Sequence, residues 1–198
     1  MPATLRPAVF LDRDGTIVED VDYLTRPDQL RLIPGAAAAI RGINQMGYAA
    51  VIVTNQSAVA RGMLSESALA EVHVRLREML AAAGAHIDGI YHCPHLPDGQ
   101  IAQYARQCDC RKPAPGMLLQ AARDLGIDLP ASIMIGDSLR DLEAGKAAGC
   151  RQSILVKTGQ GSAAAAQAGS DDIVVDDLSA AFALLIRKKN IANETGQD

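Results

Sequence analysis

Short, continuous apolar runs alternate with longer stretches of helical periodicity along the whole chain. Runs of Val, Ile, Leu and Ala without polar alternation are typical of strands that are buried on both faces of a parallel sheet. The runs that predict strands lie at residues 8–11, 49–53, 89–92, 133–135, 153–156 and 173–175. The stretches that predict helices lie at residues 35–46, 65–83, 115–125 and 139–148.

Proline and glycine support the boundaries of these helices. Pro34 comes just before the first helix and Gly47 just after it, which is the usual asymmetry of the two residues. The regular alternation of strands and helices predicts an α/β fold: a doubly wound, mostly parallel sheet with helices on both faces. Ligands of such folds bind at the carboxyl ends of the strands, near the point where the strand order reverses.

The length of the chain predicts a single domain, residues 1–198, and no internal repeat is visible. Residues 162–169 are rich in alanine and predict a surface loop or a short helix. From about residue 187 onward the chain is a polar tail, which we expect to fray.

Composition and charge exclude several kinds of partner. Apolar residues make up 48% of the chain and charged residues 21%, which excludes a disordered protein. The net charge of −4 and the absence of Trp argue against binding to nucleic acid or to an anionic membrane surface. No apolar run approaches the ~20 residues of a membrane-spanning helix, and the N-terminus lacks a signal-peptide pattern. We therefore expect a cytoplasmic protein. No large apolar stripe is visible beyond the core-facing positions of the helices, so we expect a monomer.

The first predicted strand leads directly into the run Asp12-Arg13-Asp14-Gly15-Thr16. A turn at Gly15 would let one aspartate offer its carboxylate and the other its carbonyl oxygen to the same cation. A hard divalent ion prefers such oxygen ligands. The alternative is an ordinary turn, because Asp-Gly is a common turn pair.

Two further polar segments lie close to predicted element ends. Residues 54–57, Thr-Asn-Gln-Ser, follow the second strand and can donate hydrogen bonds to an anionic oxygen, although a polar loop with helix-capping groups has the same composition. Arg111 and Lys112 precede the helix predicted at residue 115. Lysine is a compact charge and arginine a planar fork, so both suit phosphate; a solvated basic pair is the alternative.

The fourth predicted strand ends in Gly136 and Asp137, with Ser138 and Asp141 just beyond. Asp137 can bind a cation and Asp141 can orient its neighbours, but an N-terminal helix cap with a second acid explains the same residues. Together the four segments supply a nucleophile, cation ligands, anion donors and a lysine near neighbouring strand ends. This combination predicts phosphoryl transfer through an aspartyl-phosphate.

In this order, the four segments resemble the motifs of the haloacid dehalogenase-like (HAD) phosphatases, over about residues 8–160. The resemblance implies that Asp12 is the nucleophile and that Asp14 is the general acid and base. It also implies that Thr54 and Lys112 hold the phosphoryl group. The gaps between the motifs are too short for a cap domain, so we expect an uncapped HAD-like Rossmannoid fold.

The same resemblance implies a catalytic Mg²⁺ ion, which would reduce the repulsion between the nucleophile and the phosphate. Its ligands would be Asp12, the carbonyl oxygen of Asp14, and Asp137. Ser138 and Asp141 would position these ligands without binding the ion themselves.

Cys93, His95, Cys108 and Cys110 cluster in a loop, residues 93–110, that is rich in proline and glycine. In a reducing compartment such a set indicates a metal site rather than disulfides, and Cys₃His is a structural zinc arrangement. His92 is an alternative ligand. Because Cys110 adjoins the basic pair at residues 111 and 112, we expect one Zn²⁺ ion that fixes this loop beside the phosphate.

An uncapped HAD chain with this zinc loop resembles a subgroup that contains heptose-bisphosphate phosphatases and histidinol-phosphate phosphatases. The match is closer to the heptose enzymes, and it implies a small phosphorylated sugar as substrate; histidinol phosphate is the alternative. Ser138 is a departure, since some members carry lysine there. The residues that the match implies contact substrate are Arg13, Asp20, Val21, Asp22, Tyr23, Asn55, Gln56, Ser57 and Arg111.

Two classes without enzymatic turnover compete with this interpretation. A phospho-accepting receiver module also uses acids, a threonine and a lysine on a doubly wound sheet, but its acceptor follows a middle strand and it has no zinc loop. A zinc-binding interaction module would leave the acids at the strand ends unexplained.

Overall fold

In the computed structural model, which describes residues 5–195, six strands form one parallel sheet. The sheet order is β3-β2-β1-β4-β5-β6, so the chain first builds outward from β1 on one side and then from β4 on the other. The strands are β1 (Ala8–Leu11), β2 (Ala49–Asn55), β3 (Gly89–Cys93), β4 (Ile133–Gly136), β5 (Gln152–Val156) and β6 (Ile173–Val175).

Helices connect the strands and flank the sheet. The helices are α1 (Ala36–Gln45), α2 (Ser57–Ala60), α3 (Glu66–Ala82), α4 (Gly116–Leu125), α5 (Leu139–Ala148), α6 (Gly161–Ala165) and α7 (Leu178–Thr195). Single 3₁₀ turns lie at Pro27–Gln29 and Leu129–Ala131. No inserted cap domain interrupts this order in the described part of the chain.

The two faces of the sheet explain the continuous apolar strands, because successive side chains of a strand point to opposite faces. Val9 and Leu11 of β1 belong to a core formed with α1, α3 and α7. Ala8 and Phe10 belong to the opposite core, formed with α4 and α5. All four residues of β1 are buried, because the strand lies between the two cores. The predicted doubly wound fold is confirmed, and every adjacent pair of strands is parallel.

The main difference from the sequence-based elements is α7. Its side chains Leu178, Ala181 and Leu185 are buried against the core at helical spacing. The backbone N–H of Ala180 donates to Asp177 Oδ1 at 2.8 Å, which caps the helix. The backbone is helical as far as Thr195 and includes most of the expected polar tail.

The reversal of strand order determines where a crevice forms at the edge of the sheet. β1 and β4 are neighbours in the sheet but leave in opposite directions, and a crevice opens at their carboxyl ends. Asp12 follows β1 and Asp137 follows β4, so both lie at this crevice. Among the residues described, no helix combines the length and the apolar character needed to traverse a lipid bilayer.

Candidate active site

A cavity of about 240 Å³ lies at the carboxyl ends of β1, β2 and β4. Each residue that sequence analysis assigned to catalysis, Mg²⁺ or substrate lines it. The lining residues are Asp12, Arg13, Asp14, Asp20, Val21, Asp22, Tyr23, Leu24, Thr54, Asn55, Gln56, Ser57, Ala58, Arg111, Lys112, Asp137, Ser138, Arg140, Asp141 and Gln160. The backbone segments that bring them together are far apart in sequence but adjacent in the sheet.

Lys112 connects the aspartates that follow β1 and β4. Its Nζ lies 2.9 Å from Asp12 Oδ1 and 2.6 Å from Asp141 Oδ1, and donates to the carbonyl oxygen of Val53 at 2.8 Å. The lysine is buried, and the two carboxylates raise its pKa against the effect of burial. It therefore remains a fixed cation on the floor of the cavity.

Asp12 and Asp137 form the part of the cavity that suits a cation. Burial raises the pKa of Asp12 to about 7, with Lys112 opposing the shift and the neighbouring carboxylates adding to it. Burial also raises the pKa of Asp137, to about 6. The carboxylates of Asp12, Asp137 and Asp141 offer oxygens within 4.8 Å of one another. A divalent cation fits here, because it would stabilise the charged forms that burial disfavours.

Gly15 allows the first loop to approach Asp137. A Cβ atom at this position would collide with the Asp137 carboxylate, and the φ of +74° also favours glycine. Asp137 Oδ2 accepts a hydrogen bond from the backbone N–H of Gln160 at 2.8 Å. Asp14 and Gly15 thus form the turn that is common for an Asp-Gly pair, and this turn is also part of the site.

Asp14 is held by a network that sequence analysis did not foresee. Arg13 Nη2 donates to Asp14 Oδ2 at 2.9 Å and to Gln56 Oε1 at 3.0 Å, and Gln56 Nε2 donates to Asp14 Oδ2 at 2.9 Å. Arg13 Nη1 lies 3.2 Å from His73 Nε2, which must accept because arginine only donates. Burial lowers the pKa of His73 to about 3, so the ring is neutral.

Three of the residues that the resemblance implied contact substrate are also bound by other protein groups. Arg13 is 1% exposed, and its guanidinium faces Asp14, Gln56 and His73. Asn55 donates to the carbonyl oxygen of Lys112 at 3.1 Å and accepts from its N–H at 3.0 Å. The geometry therefore favours positioning roles for Arg13, Asn55 and Gln56 over direct contact with substrate.

Thr54 presents a hydroxyl to the cavity. The side chain is buried, and its Oγ1 accepts a hydrogen bond from Gln56 Nε2 at 2.8 Å. Among the side chains of residues 5–187 and the described backbone, the Thr54 hydroxyl has no acceptor of its own. Its proton is available to an anionic oxygen bound in the cavity.

The wall opposite the floor comes from the loop after β1 and the loops before α5 and α6. Gln160 Nε2 donates to Asp20 Oδ2 at 3.2 Å and closes one side. Ser138 and Asp141 form a reciprocal cap at the start of α5, since the N–H of Ser138 donates to Asp141 Oδ2 at 3.0 Å. Gln160 and Arg140 could not be assigned to the cavity from the sequence, because neither belongs to a motif and only the fold brings them there.

A second cluster joins the four predicted zinc ligands. The three Sγ atoms lie 3.0–3.5 Å apart, and His95 Nδ1 lies 3.3 Å from Cys110 Sγ and 3.7 Å from Cys93 Sγ. Neighbouring ligands of a tetrahedral zinc ion lie about 3.5–3.8 Å apart, so the set fits with small shifts. All four cysteines are free thiols. Burial raises the pKa of Cys93, and a cation would reverse this shift.

Zinc on His95 Nδ1 leaves the ring proton on Nε2. Arg106 Nη2 lies 2.8 Å from that nitrogen, and two donors cannot share the contact. Arg106 would therefore have to turn away from Nε2 if a metal ion bound Nδ1. His92, the alternative ligand, points elsewhere: its Nε2 lies 3.7 Å from Glu66 Oε1 and its ring packs near His73.

The metal cluster, which consists of Cys93, His95, Cys108 and Cys110, is linked to the cavity through short connections. Cys93 ends β3 beside Asn55 of β2, and its carbonyl oxygen accepts from the N–H of Gln56 at 2.8 Å. Cys110 precedes Arg111 and Lys112 in the chain. Since Asn55 holds the backbone of Lys112, the metal cluster and the strand end fix the same lysine from two sides.

The doubly wound sheet, the carboxylates at its switch point and the buried lysine define a phosphatase of the HAD class. A family model described as HAD-hydrolase-like matches residues 109–181. The D-glycero-beta-D-manno-heptose-1,7-bisphosphate 7-phosphatase of Yersinia pestis is 46% identical over 165 residues, which is 83% of this chain and 88% of that protein. The Escherichia coli K12 protein of the same name is 46% identical over 154 residues, 78% of this chain and 81% of that protein.

A solved structure agrees with these sequence matches. The D,D-heptose 1,7-bisphosphate phosphatase of B. bronchiseptica, complexed with magnesium and phosphate, superimposes with a TM-score of 0.83 at 38% identity. The match covers 92% of this chain and 99% of that one. The chain belongs to the family of the heptose-1,7-bisphosphate 7-phosphatases, within the HAD phosphatases.

Proposed function

We propose that the protein hydrolyses the 7-phosphate of D-glycero-D-manno-heptose 1,7-bisphosphate, with Mg²⁺, through an aspartyl-phosphate on Asp12. The observation that carries the proposal is the 46% identity to relatives with this name over 81–88% of their length. The cavity supports it, because an aspartate, a fixed lysine and a free threonine hydroxyl converge on one place.

In this mechanism Asp12 attacks the phosphorus atom with one carboxylate oxygen, and the bond to the sugar oxygen breaks. Its Oδ1 is held by Lys112 and by the N–H of Arg13 at 2.8 Å. Asp14 gives its proton to the departing sugar oxygen and later takes a proton from the water that cleaves the aspartyl-phosphate. Thr54 and Lys112 hold the phosphoryl oxygens, and Lys112 does so by exchanging its contact with Asp12 Oδ1, because its other two N–H groups donate to Asp141 and to the carbonyl oxygen of Val53. Magnesium, bound by Asp12, Asp137 and the carbonyl of Asp14, would neutralise phosphate charge.

Arg13 and Gln56 set the orientation of Asp14 in this mechanism. The guanidinium holds both carboxylate oxygens, at 2.9–3.2 Å, and the amide adds a third donor. The carboxyl group is thereby kept at one rotamer beside Asp12. General acid and base catalysis depends on such positioning.

Magnesium affinity should fall as the pH falls from 8 to 5.5. Asp12 and Asp137, with pKa values raised to about 7 and about 6, must lose their protons to bind the ion. The metal is thus bound with proton release, and its apparent affinity should weaken roughly 100-fold over this range. Calorimetric titration with MgCl₂ at several pH values measures this. A pH-independent affinity would contradict the role of these two carboxylates.

The substrate is tested by comparing kcat/KM for the two anomers of heptose 1,7-bisphosphate with kcat/KM for histidinol phosphate. We expect a preference for a bisphosphate of roughly 100-fold or more, since an amine lacks the second anionic group that Arg111 can bind. Phosphorus NMR of the product should show loss of the 7-phosphate alone. A faster reaction with histidinol phosphate would reassign the substrate, and a stable phospho-protein without turnover would favour a receiver module.

The remaining features of the proposal are a monomeric state and a cytoplasmic location. The supporting observation is a net charge of −4 with few exposed large apolar side chains among residues 5–187. Light scattering on the purified protein tests the monomer directly.

A further inference from the structure

The charges that line the cavity are unevenly compensated. Four cationic side chains lie there: Arg13, Arg111, Lys112 and Arg140. Arg13 is paired with Asp14, and Lys112 is paired with Asp12 and Asp141. These two cations are therefore neutralised by carboxylates of the protein itself.

The other two cations have no carboxylate partner among the side chains of residues 5–187. Arg111 Nη1 donates only to the carbonyl oxygen of His95, at 3.2 Å. Arg140 is exposed, and its Nε lies 3.3 Å from Ser138 Oγ. This contact leaves both terminal nitrogens of Arg140 without a partner in the described structure. A guanidinium with two free terminal nitrogens presents the fork that binds a phosphate group.

We propose that Arg140 is a specificity-determining residue that binds the second phosphate of a bisphosphate substrate, the one that is not hydrolysed. The inference rests on the proposed function and adds a residue outside the motifs. Arg140 lies in the first turn of α5, two positions after Ser138. Its Nε donates to Ser138 Oγ at 3.3 Å, and this contact orients the guanidinium.

The position of Arg140 suits a substrate that protrudes from the cavity. Asp141, the next residue, points inward to Lys112, whereas Arg140 lies at the exposed rim. A phosphoryl group held at Asp12 would leave the far end of a sugar bisphosphate near this rim. Arg111 lines the same cavity, and its remaining guanidinium nitrogens are free for the same phosphate. Two arginines would match the double negative charge of that group.

The variant Arg140→Gln tests this role, with Arg140→Lys as the conservative form. Arg123→Gln is the matched control, because Arg123 is an exposed arginine on α4 outside the cavity lining. Each protein is assayed with heptose 1,7-bisphosphate and heptose 7-phosphate, and with fructose 1,6-bisphosphate and fructose 6-phosphate. We expect Arg140→Gln to lower kcat/KM for the bisphosphates roughly 10-fold, by raising KM. For the monophosphates, kcat/KM should fall less than about 2-fold.

Arg140→Lys should fall between Arg140→Gln and the wild type, and Arg123→Gln should match the wild type. An equal loss on bisphosphates and monophosphates, or no loss on either, would overturn the role of Arg140. If the wild type fails to hydrolyse heptose 1,7-bisphosphate, the proposed function fails instead. The ratio of kcat/KM for fructose 1,6-bisphosphate to kcat/KM for fructose 6-phosphate, in the wild type and in Arg140→Gln, still decides whether Arg140 binds a second phosphate.

Discussion

Replacing Asp12 with asparagine is expected to abolish phosphatase turnover and to leave the fold intact. An amide oxygen is too weak a nucleophile to form the aspartyl-phosphate, and loss of a covalent nucleophile lowers kcat by at least about 10⁴-fold. The isosteric amide keeps an oxygen that accepts from Lys112 Nζ and from the N–H of Arg13. The packing around β1 therefore has no reason to change.

The same substitution is expected to preserve or raise stability. Burial and the neighbouring carboxylates raise the pKa of Asp12 to about 7 in the folded chain, so the charged form is disfavoured by folding. For an acid with a raised pKa the unfavourable contribution is absent below the unfolded value and full above the folded one. In metal-free protein at pH 8, Asp12→Asn should thus show a midpoint of thermal unfolding equal to or above that of the wild type.

Turnover and thermal unfolding are measured on Asp12→Asn beside Asp176→Asn. Asp176 is an exposed carboxylate that pairs with Lys157 away from the cavity, so its loss should change neither quantity. Mass spectrometry must show that the asparagine has not reverted by deamidation. Near-normal turnover in verified Asp12→Asn protein would remove Asp12 as the nucleophile and, with it, the proposed mechanism.

Much of the fold follows from features that are local in sequence. The buried strands are continuous runs of branched residues, and the helices end at glycine, so each element is visible without knowledge of its neighbours. Parallel strands then bring their carboxyl ends together, which is why Asp12, Thr54 and Asp137 could be expected in one place. Helix α7 was missed although its apolar spacing and its cap at Asp177 are present in the sequence.

The contacts within the site could not be predicted in the same way. The network of Arg13, Asp14, Gln56 and His73 joins residues up to 60 positions apart, and its geometry depends on how α3 packs on the sheet. The resemblance implied that Arg13 contacts substrate, but it could not show that the buried guanidinium also contacts Asp14 and His73. Arg140 has no motif at all. The predicted zinc ligands could be identified because three cysteines and a histidine lie close together in the sequence, a pattern that indicates a metal site.

Loss of the metal cluster is expected to lower both stability and turnover. Cys110→Ser removes one thiolate, and structural zinc contributes folding free energy directly, so the midpoint of thermal unfolding should fall by about 10 °C. The zinc content should fall from about one ion per chain to well below it, as measured by elemental analysis after native purification. Cys150→Ser is the matched control, because Cys150 lies outside the cluster and should keep its zinc.

The effect on turnover distinguishes a remote metal from one that positions the catalytic lysine. Cys93 is 19 residues from Lys112 in the chain, yet it ends β3 beside Asn55, whose side chain holds the lysine backbone. Cys93→Ser and Cys110→Ser should therefore each lower kcat about 10-fold, even with excess MgCl₂ and at a temperature where both variants remain folded. If zinc-free variants keep the wild-type kcat under these conditions, the metal only stabilises the loop, and Lys112 is placed by β2 alone.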